Sequence, residues 1–289
     1  MPSPLSPPLL SALIAALLYE LGRRRHARVL PAARLRTLRW RRLAFWAALV
    51  TLVVALDSVV DDEADRLFWV HMVQHVLLMM VAAPLLALAA PWMPIWKGLS
   101  LRTRRRLAAS YMRSAAWRPP RAAGRFLALP LPVFVMFNVD LCAWHVPGLY
   151  GLTLRSQAVH DFEHLSFLLL AVLFWAQVLE SPPLRIRLEA PRRVAYVLGG
   201  ATLCWLLALV LAFAPAPLYG AYASHPGLSA LGDQQLAAGI MLGPGSVPYA
   251  LFIFIALYRW LAAGATRPSD PPGAPGGSRV HPGTPAWRS

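Results

Sequence analysis

The sequence predicts an all-α fold, a polytopic membrane bundle of about seven transmembrane helices with the amino terminus outside and the carboxyl terminus inside. Three observations carry this. Of the 289 residues, 57% are hydrophobic and only 14% charged, with a mean hydropathy of +0.50, whereas a soluble domain carries about 25% charged residues. The apolar residues come in blocks long enough to cross about 30 Å of hydrocarbon. The 28 basic residues fall on alternate connections.

Read from apolar run length, the spans run over 4–22, 43–60, 67–90, 126–146, 158–180, 194–217 and 236–263. The first is short and follows Pro2, Pro4, Pro7 and Pro8. It lacks a basic start and the positive cluster follows it, so it reads as a span rather than a cleavable signal peptide. Nine arginines, Arg23 to Arg42, separate spans one and two, and nine basic residues, Lys97 to Arg125, separate spans three and four. Arg185, Arg187, Arg192 and Arg193 separate spans five and six, and Arg259, Arg267, Arg279 and Arg288 end or follow span seven. Only Arg66 and Arg155 lie opposite, a division of 26 against 2 that sets the orientation. Segment 264–289 is rich in Pro and Gly and reads as a disordered inner tail beyond a single membrane domain, 1–263.

The net charge of +15 and pI near 11.2 are thus a topology signal, with the arginines beside anionic lipid headgroups and not on nucleic acid. Cys142 and Cys204 lie within apolar spans, form no CxxC pair and read as small buried hydrophobes. The sequence has no internal repeat of the kind that builds inverted-repeat transporters. Pro84 interrupts span three, and Gly243, Pro244, Gly245 and Pro248 interrupt span seven. Such backbone either lines a cavity or is buried in protein, or its small residues serve helix packing.

Five of the eight histidines gather at the outer ends of three spans: His71 and His75 in HMVQH, His145 in AWHVP, and His160 and His164 in HDFEH. Each HxxxH pair sets two imidazoles one turn apart on one helix face, and Met79 continues the His71–His75 stripe. Ionisable side chains within a bilayer are costly and mark function. Five imidazoles at one depth therefore read as a metal site. Asp57, Asp140, Glu163 and Asp233 share the level and are candidates to orient the imidazoles. Imidazole suits copper, zinc, iron and nickel, and the thioethers of Met72, Met79 and Met241 tilt the choice toward copper. Opposed histidines could instead ligate haem iron. His160 to His164 also fits the inverted zincin pattern HxxEH, which would require a third carboxylate ligand and a cleft. A copper or proton transporter would need polar residues toward the inner face, where these spans are nearly all apolar. Trp46, Trp69, Trp144 and Tyr150 read as interfacial anchors.

Three blocks, HMVQHVLLMMVAAPLLALAAP, WHVPGLYGLTLRSQAVHDFEHLSFLLLAVLFW and APLYGAYASHPGLSALGDQQLAAGIMLGPGS, carry a resemblance over about residues 45–260. In order and spacing they resemble the polytopic CtaG assembly factors, bacterial seven-span proteins that mature caa-type haem–copper cytochrome c oxidase. The sequence does not resemble the single-span copper chaperone of the same name. The resemblance implies a non-enzymatic role in the bacterial cytoplasmic (inner) membrane, with copper insertion into the oxidase as the usual proposal. Cytochrome c oxidase subunits would be partners, with a periplasmic copper donor protein a further candidate. The family's motif residues fall on His71, His75, His145, His160, His164, Asp233, Gln234 and Gln235, with Met241 just downstream. The expectation is a site for one or two copper ions on these histidines, with Met79 and Met241 as softer ligands and Asp57, Asp140, Glu163, Asp233 and Gln234 around them. Zinc and haem are the alternatives.

Overall fold

A computed structural model of the protein describes residues 6–27, 32–184, 187–220, 222 and 227–265. Arg185, His225, His281 and the tail from residue 266 onward lie outside them. Among the described residues the regular structure is helical and contains no strand. In chain order the helices are α1 (Pro7–Ala27), α2 (Ala32–Leu56), α3 (Val59–Ala64), α4 (Phe68–Ala89), α5 (Trp92–Gly98), α6 (Leu101–Arg113) and α7 (Arg118–Phe126). They continue with α8 (Pro130–Trp144), α9 (Pro147–Thr153), α10 (Gln157–Ala176), α11 (Ala190–Phe213), α12 (Ala230–Leu242) and α13 (Val247–Ala265).

Among the described residues four stretches are long and apolar enough to cross a membrane: α4, α10, α11 and Ala230–Ala262, the last joining α12 and α13 through the turn at Pro244–Ser246. A fifth is available if Ala115–Phe126 and α8, bent by 89°, count as one span. Pro130 at the start of α8 accounts for the break, because it has no N–H to continue a helix from the preceding residues. The expected first and second spans fall short for a chemical reason. In α2 the uncharged run is Leu43–Leu56, closed by Arg42 and Asp57, and the last turns of α1 carry Glu20, Arg23, Arg24 and Arg25. The seventh span begins at Ala230 rather than 236, which brings Asp233 into its first turn. The basic connection from Lys97 to Arg125 is itself largely helical, as α6 and α7, and neither helix buries a residue.

The distribution of polarity is that of a membrane bundle. Leu13, Val139, Leu165, Leu206, Phe213 and Phe254 face outward, while His71, Gln74, Glu163, His164, Asp233 and Gln234 are buried. Glycines set one close crossing, where α1 meets α5: a Cβ on Gly22 would stand 1.8 Å from the Pro94 carbonyl oxygen, and one on Gly98 2.2 Å from that of Leu18. Arg25 then donates to the carbonyls of Lys97, Gly98 and Leu99 at the end of α5.

Within α4 the segment Leu77–Ala82 widens into a π-helical turn. Pro84 has no N–H to offer its own i−4 carbonyl, so the ladder must rearrange here. The N–H of Ala83 bonds the Leu78 carbonyl, five residues back. The Met79 carbonyl instead accepts the indole N–H of Trp175 on α10 at 3.1 Å. The irregular turn is buried in protein, the condition under which such backbone survives in hydrocarbon.

Candidate metal centre

The α4 helix begins without a cap of its own, since Leu67 precedes it in extended conformation with no side-chain hydrogen bond. Asp233 on α12 supplies the cap from 165 residues away. Its carboxylate accepts the N–H of Phe68 at 2.9 Å and of Trp69 at 2.8 Å. This fixes the first turn of α4, from which His71 and His75 project into the bundle, 0% and 4% exposed. Across from them α10 presents His160, Glu163 and His164, all buried.

Those side chains converge. One ligand-capable atom from each of His71, His75, Glu163 and His164 lies within 4.8 Å of all the others. The Glu163 carboxylate stands 3.7 Å from His71 Nε2 and 3.8 Å from His75 Nε2, too far for hydrogen bonds. Both Glu163 oxygens, both nitrogens of His71 and His75, and Nε2 of His164 are buried without a hydrogen-bond partner. Two ligands about 2.1 Å from one tetrahedral ion stand about 3.4 Å apart, close to this spacing. Three imidazoles and a carboxylate therefore fit a cation better than they fit one another.

The remaining histidines border the group. The His160 ring centroid is 5.4 Å from that of His71 and 4.2 Å from that of His164, and the His145 centroid is 6.5 Å from that of His75. His145 Nδ1 lies 2.7 Å from the Leu141 carbonyl, leaving Nε2 buried and unpartnered. All five histidines come together, then, with Glu163 set inside the tightest group and His160 and His145 beside it.

The other expected residues take different positions. Met79 and Met241 line a cavity beside the His–Glu group with Met72, Met80, His75, His145 and Cys204. Asp140 accepts the Trp144 indole and the Ser166 hydroxyl, tying α8 to α10 rather than orienting an imidazole. Asp233 and Gln234 hold backbone: Gln234 accepts the N–H of Leu218 and donates to the Leu211 carbonyl. Asp57 is half-buried just past α2, and its neighbour Asp61 reaches α4 instead, accepting from Gln74 at 2.6 Å. Burial raises the Asp61 carboxyl above its usual range.

Two readings of the sequence need correction. Cys142 is exposed, on the outward face of α8, and only Cys204 is buried. Trp144 and Tyr150 are not surface anchors but 6% and 2% exposed. Tyr150 belongs to an aromatic cap over the site, where Phe68 contacts Tyr150, Tyr219 and Tyr222 and the His71 ring lies 5.3 Å from that of Tyr150. Tyr219 donates to the His145 carbonyl, Tyr222 to that of Ala64, and the Tyr150 and Tyr222 hydroxyls bond each other.

Sequence reasoning missed the cap, and it missed Gln74, which ties α4 to the Ala55 carbonyl and to Asp61. The place of Glu163 could have been found. It follows His160 by three residues, so helical spacing puts it on the same face as that imidazole.

No curated protein and no solved structure matches the chain. A family profile described as cytochrome c oxidase caa3 assembly factor (Caa3_CtaG) matches residues 17–263. The match reaches further toward the amino terminus than the three blocks, taking in the second half of α1, and it contains every residue of the His–Glu group. The chain belongs to the cytochrome c oxidase caa3 assembly factor family.

Proposed function

We propose that this protein holds copper, as cargo, on His71, His75, Glu163 and His164 and assists its insertion into cytochrome c oxidase. The observation that carries the reading is the convergence of four buried ligand atoms within 4.8 Å, on side chains with no other partner. A donor set of nitrogen and oxygen accepts Cu(II) and Zn(II) alike. What selects copper is the family, since the oxidase it helps assemble is a haem–copper enzyme. With the orientation the charge division predicts, 26 basic residues against 2, the site lies near the outer ends of α4 and α10, in the bacterial inner membrane. Ions would arrive from a periplasmic donor protein and leave laterally to an oxidase subunit. His160 and His145, bordering the group, provide exchangeable positions for that transfer or for a second ion.

The alternatives are less well supported. A porphyrin would have to enter among imidazole rings whose centroids lie 4.2–6.5 Å apart and displace Glu163. A proton or ion path inward would have to continue through a cavity walled mainly by thioethers and aliphatic side chains. The protease pattern HxxEH needs Glu163 free to act as a base, whereas its carboxylate lies within 4.8 Å of three imidazoles as a candidate ligand.

The test is metal analysis of the full-length protein extracted in detergent and loaded with Cu(II), together with Glu163→Gln and His71→Ala. Glu163→Gln keeps the shape and removes the charge, and the expected loss of Cu(II) affinity is at least about 100-fold, more than the 10–100-fold typical of residues outside the ligand set. Unchanged copper content in both variants removes the assignment, and a Soret band in the extracted protein would replace it with haem.

A further inference from the structure

Beside the His–Glu group lies a space of different chemistry. A cavity of about 30 Å³ is lined by Met72, Met79, Met80 and Met241 together with His75 and His145. That is room for one water-sized occupant. Four of the chain's eight methionines therefore meet at one point. They are 1–5% exposed, whereas Met93, Met112 and Met136 are 38–72% exposed. Methionine ordinarily closes core gaps because its side chain is unbranched and flexible. Here four of them surround a gap and leave it open.

His145, on the cavity wall, has a defined tautomer. A backbone carbonyl only accepts, so the 2.7 Å contact with Leu141 puts the imidazole proton on Nδ1. Nε2 is then a bare lone pair, and it is buried without a partner. Every donor offered here is neutral as long as the Cys204 thiol, which also lines the cavity, keeps its proton. A divalent ion would keep its full charge in an apolar interior, which is costly, while a monovalent soft ion keeps half as much and prefers thioether and imidazole ligands.

We propose that this cavity is a second metal site, for Cu(I), formed by the thioethers of Met79 and Met241 with Met72 and Met80 at its wall and by His145 Nε2. It adjoins the His–Glu group at His75, the one side chain that borders both. The two sites divide by charge: one carries a carboxylate and suits a divalent ion, the other is neutral and suits a monovalent one. This extends the copper reading above but stands on different side chains, so each can fail alone.

The experiment uses the full-length protein in detergent with two probes, Ag(I) as a redox-inert substitute for Cu(I) and Co(II) as a coloured divalent ion. X-ray absorption of the Ag(I)-loaded protein should show sulfur neighbours. In Met79→Leu/Met241→Leu, a change that nearly conserves volume, Ag(I) affinity should fall at least about tenfold, the loss expected when a ligand-set residue is altered, while the Co(II) spectrum is unchanged. Glu163→Gln should do the reverse, and each single Met→Leu variant gives the same readout should the pair not fold. A silver shell of nitrogen and oxygen alone, or Ag(I) affinity within about twofold of the parent protein in the Leu variants, overturns the proposal. Failure of Co(II) to bind, with the silver results intact, would instead overturn the His–Glu reading and leave this one standing.

Discussion

Replacing Asp233 with Ala tests whether the proposed metal centre is built by a contact across 165 residues rather than by α4 itself. The carboxylate is 1% exposed and accepts the first two N–H groups of α4 at 2.9 and 2.8 Å. Hydrogen bonds to a charged group contribute about 1.5–3 kcal/mol each, and a negative charge at a helix N-terminus adds about 0.3–1 kcal/mol. Against these stands the cost of keeping a carboxylate out of water, which removes part of the gain. The net loss for Asp233→Ala is therefore about 2–4 kcal/mol, above the ~0.5–2 kcal/mol of an ordinary lost cap because both N–H groups are left without an acceptor. Asp233→Asn keeps one acceptor and should cost about half as much.

The functional consequence follows from position. His71 lies in the turn that Asp233 caps, its N–H bonding the Leu67 carbonyl. Fraying of that turn displaces one of the four proposed ligands, and divalent metal affinity should fall about 10–100-fold, as for loss of a residue that orients a ligand. Denaturant unfolding in detergent, followed by tryptophan fluorescence, gives the stability term, and Co(II) titration gives the affinity. Stability within about 0.5 kcal/mol of the parent protein, together with affinity within about twofold, would refute the claim that α4 is held from α12.

Two further substitutions probe the scaffold. Trp175→Phe removes the donor to the Met79 carbonyl in the π-helical turn, and unfolding should become easier by about 1–3 kcal/mol. An unfolding midpoint unchanged from that of the parent protein would show that the freed carbonyl finds another partner. Gly98→Ala puts a Cβ 2.2 Å from the Leu18 carbonyl oxygen, so α1 must move away from α5 at a cost of about 3 kcal/mol or more. Limited proteolysis should then cut the α1–α2 connection faster, and an unaltered rate would count against the close crossing.

What could be read from the sequence was whatever depends on local spacing. Helical periodicity put His71 with His75 and His160 with His164, and the apolar runs located α4, α10 and α11 to within a few residues. Contacts between distant segments were not readable. The cap from Asp233, the tyrosines from the α11–α12 connection and the Gln74–Asp61 bond join residues that neither period nor composition relates. Charge position also carried the topology argument further than length and composition support. Arg42 and Asp57 shorten the apolar run of α2, so of seven expected spans four meet the length and hydropathy requirement and a fifth depends on a bend.

The three blocks that carry the family likeness are the segments that converge on the site. The first supplies α4 with His71 and His75, the second His145, Tyr150, His160, Glu163 and His164, and the third Tyr219, Tyr222, Asp233 and Met241. Within them, nine buried nitrogen and oxygen atoms on five histidines and Glu163 have no hydrogen-bond partner. An unsatisfied buried polar group costs about 1–3 kcal/mol, so the sum matches or exceeds the whole net stability of an ordinary domain, about 5–15 kcal/mol. A cluster held together only for packing would be more stable with apolar residues in these places. Bringing so many lone pairs to one depth makes physical sense when an ion engages several of them at once, and the same argument explains why the scaffold invests a buried Asp233 and a tyrosine cap in fixing two short helical turns.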